Sequence, residues 1–331
     1  MTCAQKIGYS LGPLLSTHEI LAFAKMADKK HEVDSLWVPE SWGRESFATL
    51  GAMSQVTEKV KLGTSIISIY SRTPATVAMA ATTLDMLSGK RTIIGIGVST
   101  AAIVENWHGT RFKQPIDRMR EYIECLRRAA SGEKVSYIGK YFKINNFKIL
   151  HQPLRKHMPI FVAAINKKML SVASEFADGV LLYLRPLDEL KKTVEVLRNT
   201  TSNKKDFEIV CSFICSISDK EPEKARERAA KTLAFYVAVG RYYSKFLSEN
   251  GFKNDVERII HEYNKGGGDA AAKVVSDEML DSLTICGNSE QCKEQLAKFT
   301  STGITLPIIQ LNPVGDTESS FREVLSTFTS A

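Results

Sequence analysis

The sequence predicts an α/β protein of the TIM-barrel type, a (β/α)8 barrel with insertions. Three observations lead to this prediction. In the first part of the chain, apolar strand-like runs alternate with helical patterns at spacings of roughly 25 to 30 residues, which is typical of a parallel sheet. Eight such strand–helix pairs can be counted along the chain. The length of 331 residues suits a barrel of this kind.

The first four predicted strands are separated by helices whose ends carry recognisable signals. Thr17 can cap a first helix in which apolar residues recur at helical spacing. Pro74 suits the first turn of a later helix, and Gly89 suits its end. The predicted strands of this half are residues 7–12, 35–39, 60–68 and 92–97.

The second half continues the alternation but contains two excursions. Residues 133–150 are typical of a β-hairpin, and residues 246–281 are typical of a helical insertion that includes a flexible joint at Gly266, Gly267 and Gly268. We find no internal repeat and no break in composition, so we expect one domain over residues 1–331. The predicted strands of this half are residues 158–164, 178–184, 207–218 and 304–311.

Composition and charge exclude several classes of protein. No apolar run reaches the ~18 residues of a membrane span, and the amino terminus lacks a secretory pattern, so we expect a cytoplasmic protein without a membrane partner. The net charge of +7 is spread over helices that also carry acidic residues, which argues against nucleic-acid binding. The six cysteines and six histidines show no metal-site spacing, and we expect reduced, buried thiols and no metal.

Two strand-to-helix junctions are candidate anion sites. The strand at 92–97 passes through Gly97 into Val98, Ser99 and Thr100, where a helix begins. Free backbone N–H groups at a helix start, approached through glycine, can bind a phosphate. Two glycines after a strand are also common in a plain turn, and that alternative stays open. The second junction is Asn166, Lys167 and Lys168, for which a solvated helix start is the alternative.

Glu40 is the candidate acid or base of the predicted active site. It follows the second strand, and active sites of barrels lie at the carboxyl ends of the strands. Ser41 and Trp42 come directly after it. The alternatives are a surface-loop glutamate or an ion pair with Arg44.

Five segments in order resemble the luciferase-like superfamily, specifically the branch that uses coenzyme F420, a deazaflavin. They are WVPESWGRESF, KLGTSIISIYSRTPATVAMAATTLDMLSGKR, GIGVSTAAIVENWHG, RMREYIECLRRAASGEKVSYIGKYFKI and ICGNSEQCKEQL. The resemblance covers nearly the whole chain. It implies a luciferase-like barrel with the cofactor at the carboxyl ends of the strands, and it implies a homodimer.

The resemblance also implies roles for individual residues. A non-prolyl cis peptide that backs the deazaflavin ring would fall at Ser65–Ile66. The cofactor phosphate would be held around Val98, Ser99 and Thr100 and at the Asn166-Lys167-Lys168 helix start, so the two candidate anion sites coincide with those of the family. Ser41 and Gly97 would contact the cofactor as well. Our own hypothesis, beyond the resemblance, is that Glu40 bonds the cofactor or transfers a proton and that Trp42 covers the reacting face.

The chain departs from the substrate patterns of that branch. Sugar-phosphate and alcohol dehydrogenases carry an Asp-His pair where this chain has Glu40-Ser41, and a glutamate where it has Ala101. The methylene-tetrahydromethanopterin reductases carry an acidic residue where it has Ser10. We therefore expect an oxidoreductase that moves a hydride between the deazaflavin and an unidentified small organic substrate. The alternatives are an FMN-dependent luciferase-like monooxygenase and a cofactor-binding barrel without turnover.

Overall fold

A closed parallel barrel organises the protein. The computed structural model describes residues 5–41 and 43–330. In these residues eight parallel strand positions close on themselves, which confirms the predicted fold class. The strands of the barrel are β1 (Ile7–Ser10), β2 (Val33–Val38), β3 (Lys61–Thr64) with its continuation β4 (Ile67–Ser68), β5 (Thr92–Gly97), β8 (Ile160–Ala163), β9 (Gly179–Tyr183), β10 (Glu208–Ile217) and β12 (Leu306–Leu311).

Hydrogen-bonded neighbours close the ring in both directions. β12 pairs with β1 through Ile308 and Gly8, and β9 pairs with β10 through Val180 and Ile209. β5 pairs with β8 on one side, with Ile96 opposite Val162, so the carboxyl ends of these two strands lie side by side. This adjacency brings the two candidate anion sites to one part of the barrel rim.

Helices surround the barrel, and their end residues lie at or next to the positions that the sequence predicts. Ser16 accepts a hydrogen bond from the Glu19 N–H in a capping box, one residue before the expected cap, and Gly89 ends α3 in a left-handed conformation with φ 65°. The helices outside the insertions are α1 (Thr17–Ala27), α2 (Ser46–Ser54), α3 (Pro74–Ser88), α4 (Ala101–Asn106), α5 (Pro115–Ala130), α6 (Lys167–Phe176), α7 (Leu187–Thr200), α12 (Ser289–Thr300) and α13 (Thr317–Phe328).

The barrel interior is filled by large side chains below the carboxyl ends of the strands. Trp37 and Phe161 lie with ring centroids 6.0 Å apart, and both are buried. Gly63 makes room for the indole, because a Cβ there would come within 2.3 Å of Trp37. The interior is therefore filled, and a ligand site at the carboxyl ends of the strands must lie above these side chains.

The predicted strand at 60–68 is interrupted. β3 ends at Thr64 and β4 begins at Ile67, and the peptide bond between Ser65 and Ile66 is cis, as the family resemblance implied. Thr64 ties the break to β5, since its hydroxyl donates to the Gly95 carbonyl over 2.7 Å and accepts from the Gly95 N–H over 2.8 Å.

Two segments leave the barrel. Residues 135–147 form an antiparallel hairpin of β6 (Val135–Ile138) and β7 (Lys143–Phe147). Between β10 and β12 the chain adds helices with an apolar core of their own, centred on Leu233 and Ile259. These are α8 (Pro222–Val239), α9 (Arg241–Leu247), a π-helical segment (Ser248–Phe252), α10 (Lys253–Ala272) and α11 (Asp277–Leu283), followed by β11 (Thr284–Gly287).

The three glycines expected to form a joint coincide with a kink in α10, where Gly267 leaves helical geometry with φ 72°. β11 was not predicted; it pairs with the last four residues of β10 outside the closed ring. Its four residues are too short to show a strand pattern of their own.

No helix in the described part of the chain is long and apolar enough to cross a membrane.

Candidate active site

A cavity of about 210 Å³ opens at the carboxyl ends of the barrel strands, and we call it the mouth cavity. It lies above the side chains that fill the barrel interior, at the end of the barrel where active sites of this fold occur. All eight strand positions contribute to its wall, either directly or through the residues that follow them. It is lined by Ser10, Gly12, Pro13, Pro39, Glu40, Ser41, Ser65, Ile66, Ser99, Ala163, Leu181, Leu182, Tyr183, Ser212, Tyr236, Tyr243, Ile308 and Gln310.

Ser65 and Ile66 form one wall of the mouth cavity. The Ser65 Oγ is shielded from solvent, and among the described residues it has no hydrogen-bond partner. Gly97 permits the Ile66 side chain to sit there, because a Cβ at Gly97 would lie 2.7 Å from Ile66 Cδ1 and 3.4 Å from Ala163 Cβ. The wall therefore offers an apolar surface at Ile66 and an unused hydroxyl at Ser65.

The two candidate anion sites adjoin each other. Ser99 has φ 60°, and Thr100 caps α4 by accepting a hydrogen bond from the Ile103 N–H over 3.4 Å. Asn166 caps the ten-residue helix α6, with the Met169 N–H donating to its Oδ1 over 3.0 Å. The first N–H groups of a helix have no partner within the helix and are available to an anion.

The residues at these two junctions differ in their solvent exposure. Val98, Ser99 and Thr100 are half-buried, and Ser99 lines the mouth cavity. Lys167 and Lys168 are exposed. Lys168 lies beside Arg120 in a separate surface depression of about 480 Å³. The structure thus places Ser99 in the lining of the mouth cavity, whereas the two lysines are exposed outside that lining.

Glu40 is held at the cavity rim by an arginine that the sequence analysis did not consider. Arg72 donates from Nε to Glu40 Oε1 over 3.0 Å and from Nη2 to Oε2 over 2.8 Å, and the Ser46 N–H donates to Oε2 over 3.0 Å. The expected alternative of a pair with Arg44 was wrong, because Arg44 donates to the Leu15 carbonyl. Arg72 also contacts Glu45, and hydrogen bonding to Glu40 raises the pKa of Arg72.

Two further residues, Ser41 and Trp42, were expected near Glu40. Ser41 lines the mouth cavity next to Glu40. Trp42, expected to cover the reacting face, lies outside the described residues.

Three tyrosines on one side of the cavity were not predicted from the sequence. Tyr183, Tyr236 and Tyr243 line it together with Gln310. Tyr183 is the last residue of β9 and Gln310 lies near the end of β12, so the strand-end rule that selected Glu40 also points to both. Nothing in the sequence points to Tyr236 and Tyr243, because they come from α8 and α9 and reach the cavity only through tertiary packing.

A larger hollow of about 590 Å³ lies at the opposite end of the barrel, beside the amino-terminal ends of β5 and β10. Two arginines that line it already form hydrogen bonds with aspartates of the protein. Arg127 donates to Asp178 over 2.8 Å, and Arg155 donates to Asp85 over 2.7 Å. The amino-terminal face of such barrels serves stability, so the mouth cavity is the candidate active site despite its smaller volume.

Comparison of the sequence with known proteins gives matches over most of the chain. A profile described as luciferase-like monooxygenase matches residues 3–306. A Mycobacterium tuberculosis protein with the provisional name coenzyme F420-dependent oxidoreductase is 30% identical over 341 residues, which cover 93% of this chain and 96% of that protein. The 5,10-methylenetetrahydromethanopterin reductase of Archaeoglobus fulgidus is 28% identical over 320 residues, which cover 94% of each chain.

The fold also matches solved structures. The coenzyme F420 dependent tetrahydromethanopterin reductase from Methanopyrus kandleri superimposes with a TM-score of 0.86, at 22% identity, covering 99% of this chain and 100% of that one. At this identity the match shows a common fold. The family profile, which spans well over half of the residues, shows more: the chain belongs to the luciferase-like monooxygenase family.

Proposed function

We propose that the protein is an oxidoreductase that uses coenzyme F420 and transfers a hydride between this deazaflavin and a small organic substrate. The observation that carries the proposal is the mouth cavity at the carboxyl ends of the strands, with a strand-to-helix junction at Ser99 in its lining and a second junction after the neighbouring strand β8, because a planar ring joined to a phosphate needs a cavity close to an anion site. The names of the similar proteins from Mycobacterium tuberculosis and Archaeoglobus fulgidus support the choice of F420.

The residues at the mouth fit such a group. The unpartnered Ser65 Oγ can bond a polar edge of the ring, and the Ile66 side chain, seated against Gly97, can support its face. The N–H groups around Val98, Ser99 and Thr100 and at the start of α6 can bind the phosphate. Lys167 and Lys168 add positive charge there.

When bound, the deazaflavin supplies the hydride chemistry, and the protein supplies position and shielding. The apolar residues Ile66, Leu181 and Ile308 keep water out of the cavity. In this proposal Glu40 accepts a hydrogen bond from the cofactor or holds a proton for it, oriented by Arg72. Trp42 keeps its expected role as a cover of the reacting face.

Parallel binding titrations with F420 and FMN test the proposal. We expect F420 to bind with a Kd near the micromolar range, about −8 kcal/mol, and FMN to bind at least tenfold more weakly. A preference for FMN would overturn the proposal in favour of an oxygen-dependent monooxygenase. Tight F420 binding without turnover on any acceptor of a broad panel would point to a cofactor-binding barrel instead.

We also propose that the protein is a homodimer, a single domain over residues 1–331 and cytoplasmic. The outward face of α3 supports the dimer, because Met79, Met86 and Leu87 are 47%, 38% and 51% exposed and the helix has no exposed charged residue. Five buried free cysteines, Cys125, Cys211, Cys215, Cys286 and Cys292, support a reducing compartment.

A further inference from the structure

A buried arginine lies behind the second candidate anion site, the junction between β8 and α6. Arg185 follows the last residue of β9 by two positions, and only 3% of it is exposed. Its Nη2 donates to the Ile165 carbonyl over 2.6 Å, and its Nη1 donates to the Thr193 hydroxyl over 2.9 Å. Ile165 belongs to the loop before α6 and Thr193 belongs to α7, so Arg185 connects this loop to the neighbouring helix.

The bond to Ile165 fixes the peptide group that leads into α6. The Ile165 carbonyl and the Asn166 N–H belong to one planar trans peptide, in which they point in opposite directions. A donor that holds the carbonyl therefore also directs the Asn166 N–H away from Arg185. Asn166 then caps α6, and the next two N–H groups, those of Lys167 and Lys168, have no acceptor within the helix. Arg185 thus supports from behind the backbone donors that a phosphate would contact.

The positive charge of Arg185 is only partly compensated. The carboxylate that pairs with it, that of Glu189, lies 3.9 Å from Nη1, which is beyond hydrogen-bond distance. Burial lowers the pKa of Arg185, so the folded protein disfavours its charged form, yet an arginine remains protonated at neutral pH. The start of α6 adds to this potential, because it is the positive end of the helix dipole and has no acidic residue in its first turn.

The guanidinium cannot turn away from this position without losing further contacts. Its Cζ lies 4.6 Å from the centroid of the Phe246 ring, which comes from the added helix α9. The charge is therefore fixed beside the junction before any ligand arrives. A neutral side chain could connect the loop to α7 equally well, so the surplus of positive charge is the feature that points to an anion. An anion at the start of α6 would stabilise both Arg185 and the helix end.

We propose that Arg185 is a positioning residue for the phosphate of the cofactor. It holds the junction so that the N–H groups of Asn166, Lys167 and Lys168 meet the phosphate, and its buried charge attracts the phosphate without touching it. This inference rests on the proposed function and assigns a further residue to the same site.

The test compares two ligands that differ only in the phosphate: the 5′-monophosphate of the F420 deazaflavin, and the same deazaflavin without phosphate. The full-length protein is first titrated with F420 and then with each of the two, and fluorescence reports binding. Arg185→Met removes the charge, and Arg185→Lys keeps it without the planar fork. Arg198→Met is the matched control, because Arg198 also donates from Nη2 to a backbone carbonyl, that of Gly303 over 2.8 Å, but from the exposed last turn of α7.

We expect Arg185→Met to bind the monophosphate about tenfold more weakly than the wild type and the phosphate-free compound equally well. Arg185→Lys should recover part of the loss, and Arg198→Met should bind both ligands as the wild type does. An equal loss for the two ligands in Arg185→Met would show a structural role only and overturn the inference, as would an unchanged affinity for the monophosphate.

Glu189→Gln decides the question if Arg185→Met does not fold, because it leaves Arg185 in place and removes the carboxylate beside it. We expect this variant to bind the monophosphate about threefold more tightly and the phosphate-free compound unchanged, and no gain would overturn the inference. All these outcomes leave the proposed function standing as long as the wild type binds F420. Failure of the wild type to bind F420 in the first titration would instead overturn the proposed function, and the inference with it.

Discussion

Glu40 stands at the rim of the mouth cavity with both carboxylate oxygens engaged. Arg72 donates hydrogen bonds to both oxygens, and the Ser46 N–H donates to one of them, so the carboxylate is fixed in direction. A carboxylate held in this way is a rigid hydrogen-bond acceptor. At the residue scale, the orientation of the Glu40 carboxylate depends on Arg72 more than on the apolar strand β2 that precedes it.

Glu40→Gln is expected to weaken F420 binding by about tenfold, because the amide nitrogen would face the Arg72 guanidinium as a second donor and turn the acceptor away. A fluorescence titration of the cofactor measures this. Glu45→Gln is the control: Glu45 also contacts Arg72 but lies outside the cavity lining, and its variant should bind F420 as the wild type does. Unchanged affinity in Glu40→Gln would contradict a cofactor contact for Glu40.

At the scale of elements, a single carboxylate connects the end of α1 to the loop before β3. Asp28 follows the last residue of α1 and accepts hydrogen bonds from the N–H groups of Glu58, Lys59 and Val60 over 2.8, 2.9 and 2.9 Å. Burial alone would raise the pKa of Asp28, but the three backbone donors together lower it below its usual value. The link positions β3, and β3 leads directly into the Ser65–Ile66 wall of the cavity.

Asp28→Asn should therefore lower the free energy of unfolding by about 1–2 kcal/mol at neutral pH, a figure reduced for partial solvent exposure. Because the folded-state pKa is depressed, this contribution is complete above the unfolded pKa of about 3.9 and disappears as the pH falls through the folded value. Urea unfolding of both proteins over a pH series measures it. Asp206→Asn, at an exposed carboxylate, should change stability little. A difference that persisted in strong acid would contradict the assignment.

The second prediction at this scale concerns the exposed face of α3, which supports the proposed dimer. Its exposed face is uncharged, whereas α5 and α7 expose charged residues in their first and last turns. Met79→Glu combined with Met86→Lys should dissociate the proposed dimer, because burying unpaired charges at an apolar interface is costly. Sedimentation of the variant should give a monomer. Val196→Glu, at a 55% exposed position of α7, is the control and should leave the mass unchanged. A wild-type protein that sediments as a monomer would rule out the proposed dimer.

At the scale of the whole molecule, the mouth cavity joins elements that are distant in the chain. β2, β3, β5, β8, β9 and the added helices all contribute residues to it, so a ligand bound there contacts parts of the molecule that separate on unfolding. Binding to the folded state alone stabilises that state by mass action.

Oxidised F420 at a hundredfold excess over its Kd should raise the free energy of unfolding by about 2.7 kcal/mol. Urea unfolding with and without the cofactor measures this, with FMN at the same concentration as the comparison. The gain should grow with the logarithm of F420 concentration. A gain that FMN matches would contradict the proposed selectivity for the deazaflavin.

Local patterns in the sequence predict much of this protein. The apolar runs, helix caps and junction glycines predict the strands of the barrel and the junctions at Ser99 and Asn166 from near neighbours in the chain. The cis bond at Ser65–Ile66 was implied by the family resemblance. The strand-end rule predicted the position of Glu40 at the mouth cavity, because parallel strands carry their carboxyl ends to one face.

Only the tertiary structure decided which side chains meet. Arg72 follows β4 and reaches Glu40 beyond β2, Tyr236 and Tyr243 arrive from an insertion that begins after β10, and β11 forms because β10 offers it an edge. These contacts join residues far apart in the chain, and their free energy appears only when the barrel closes and solvent leaves the mouth. A sequence read along its length carries no direct signal of such contacts, because each partner alone has the pattern of an ordinary helix or loop residue.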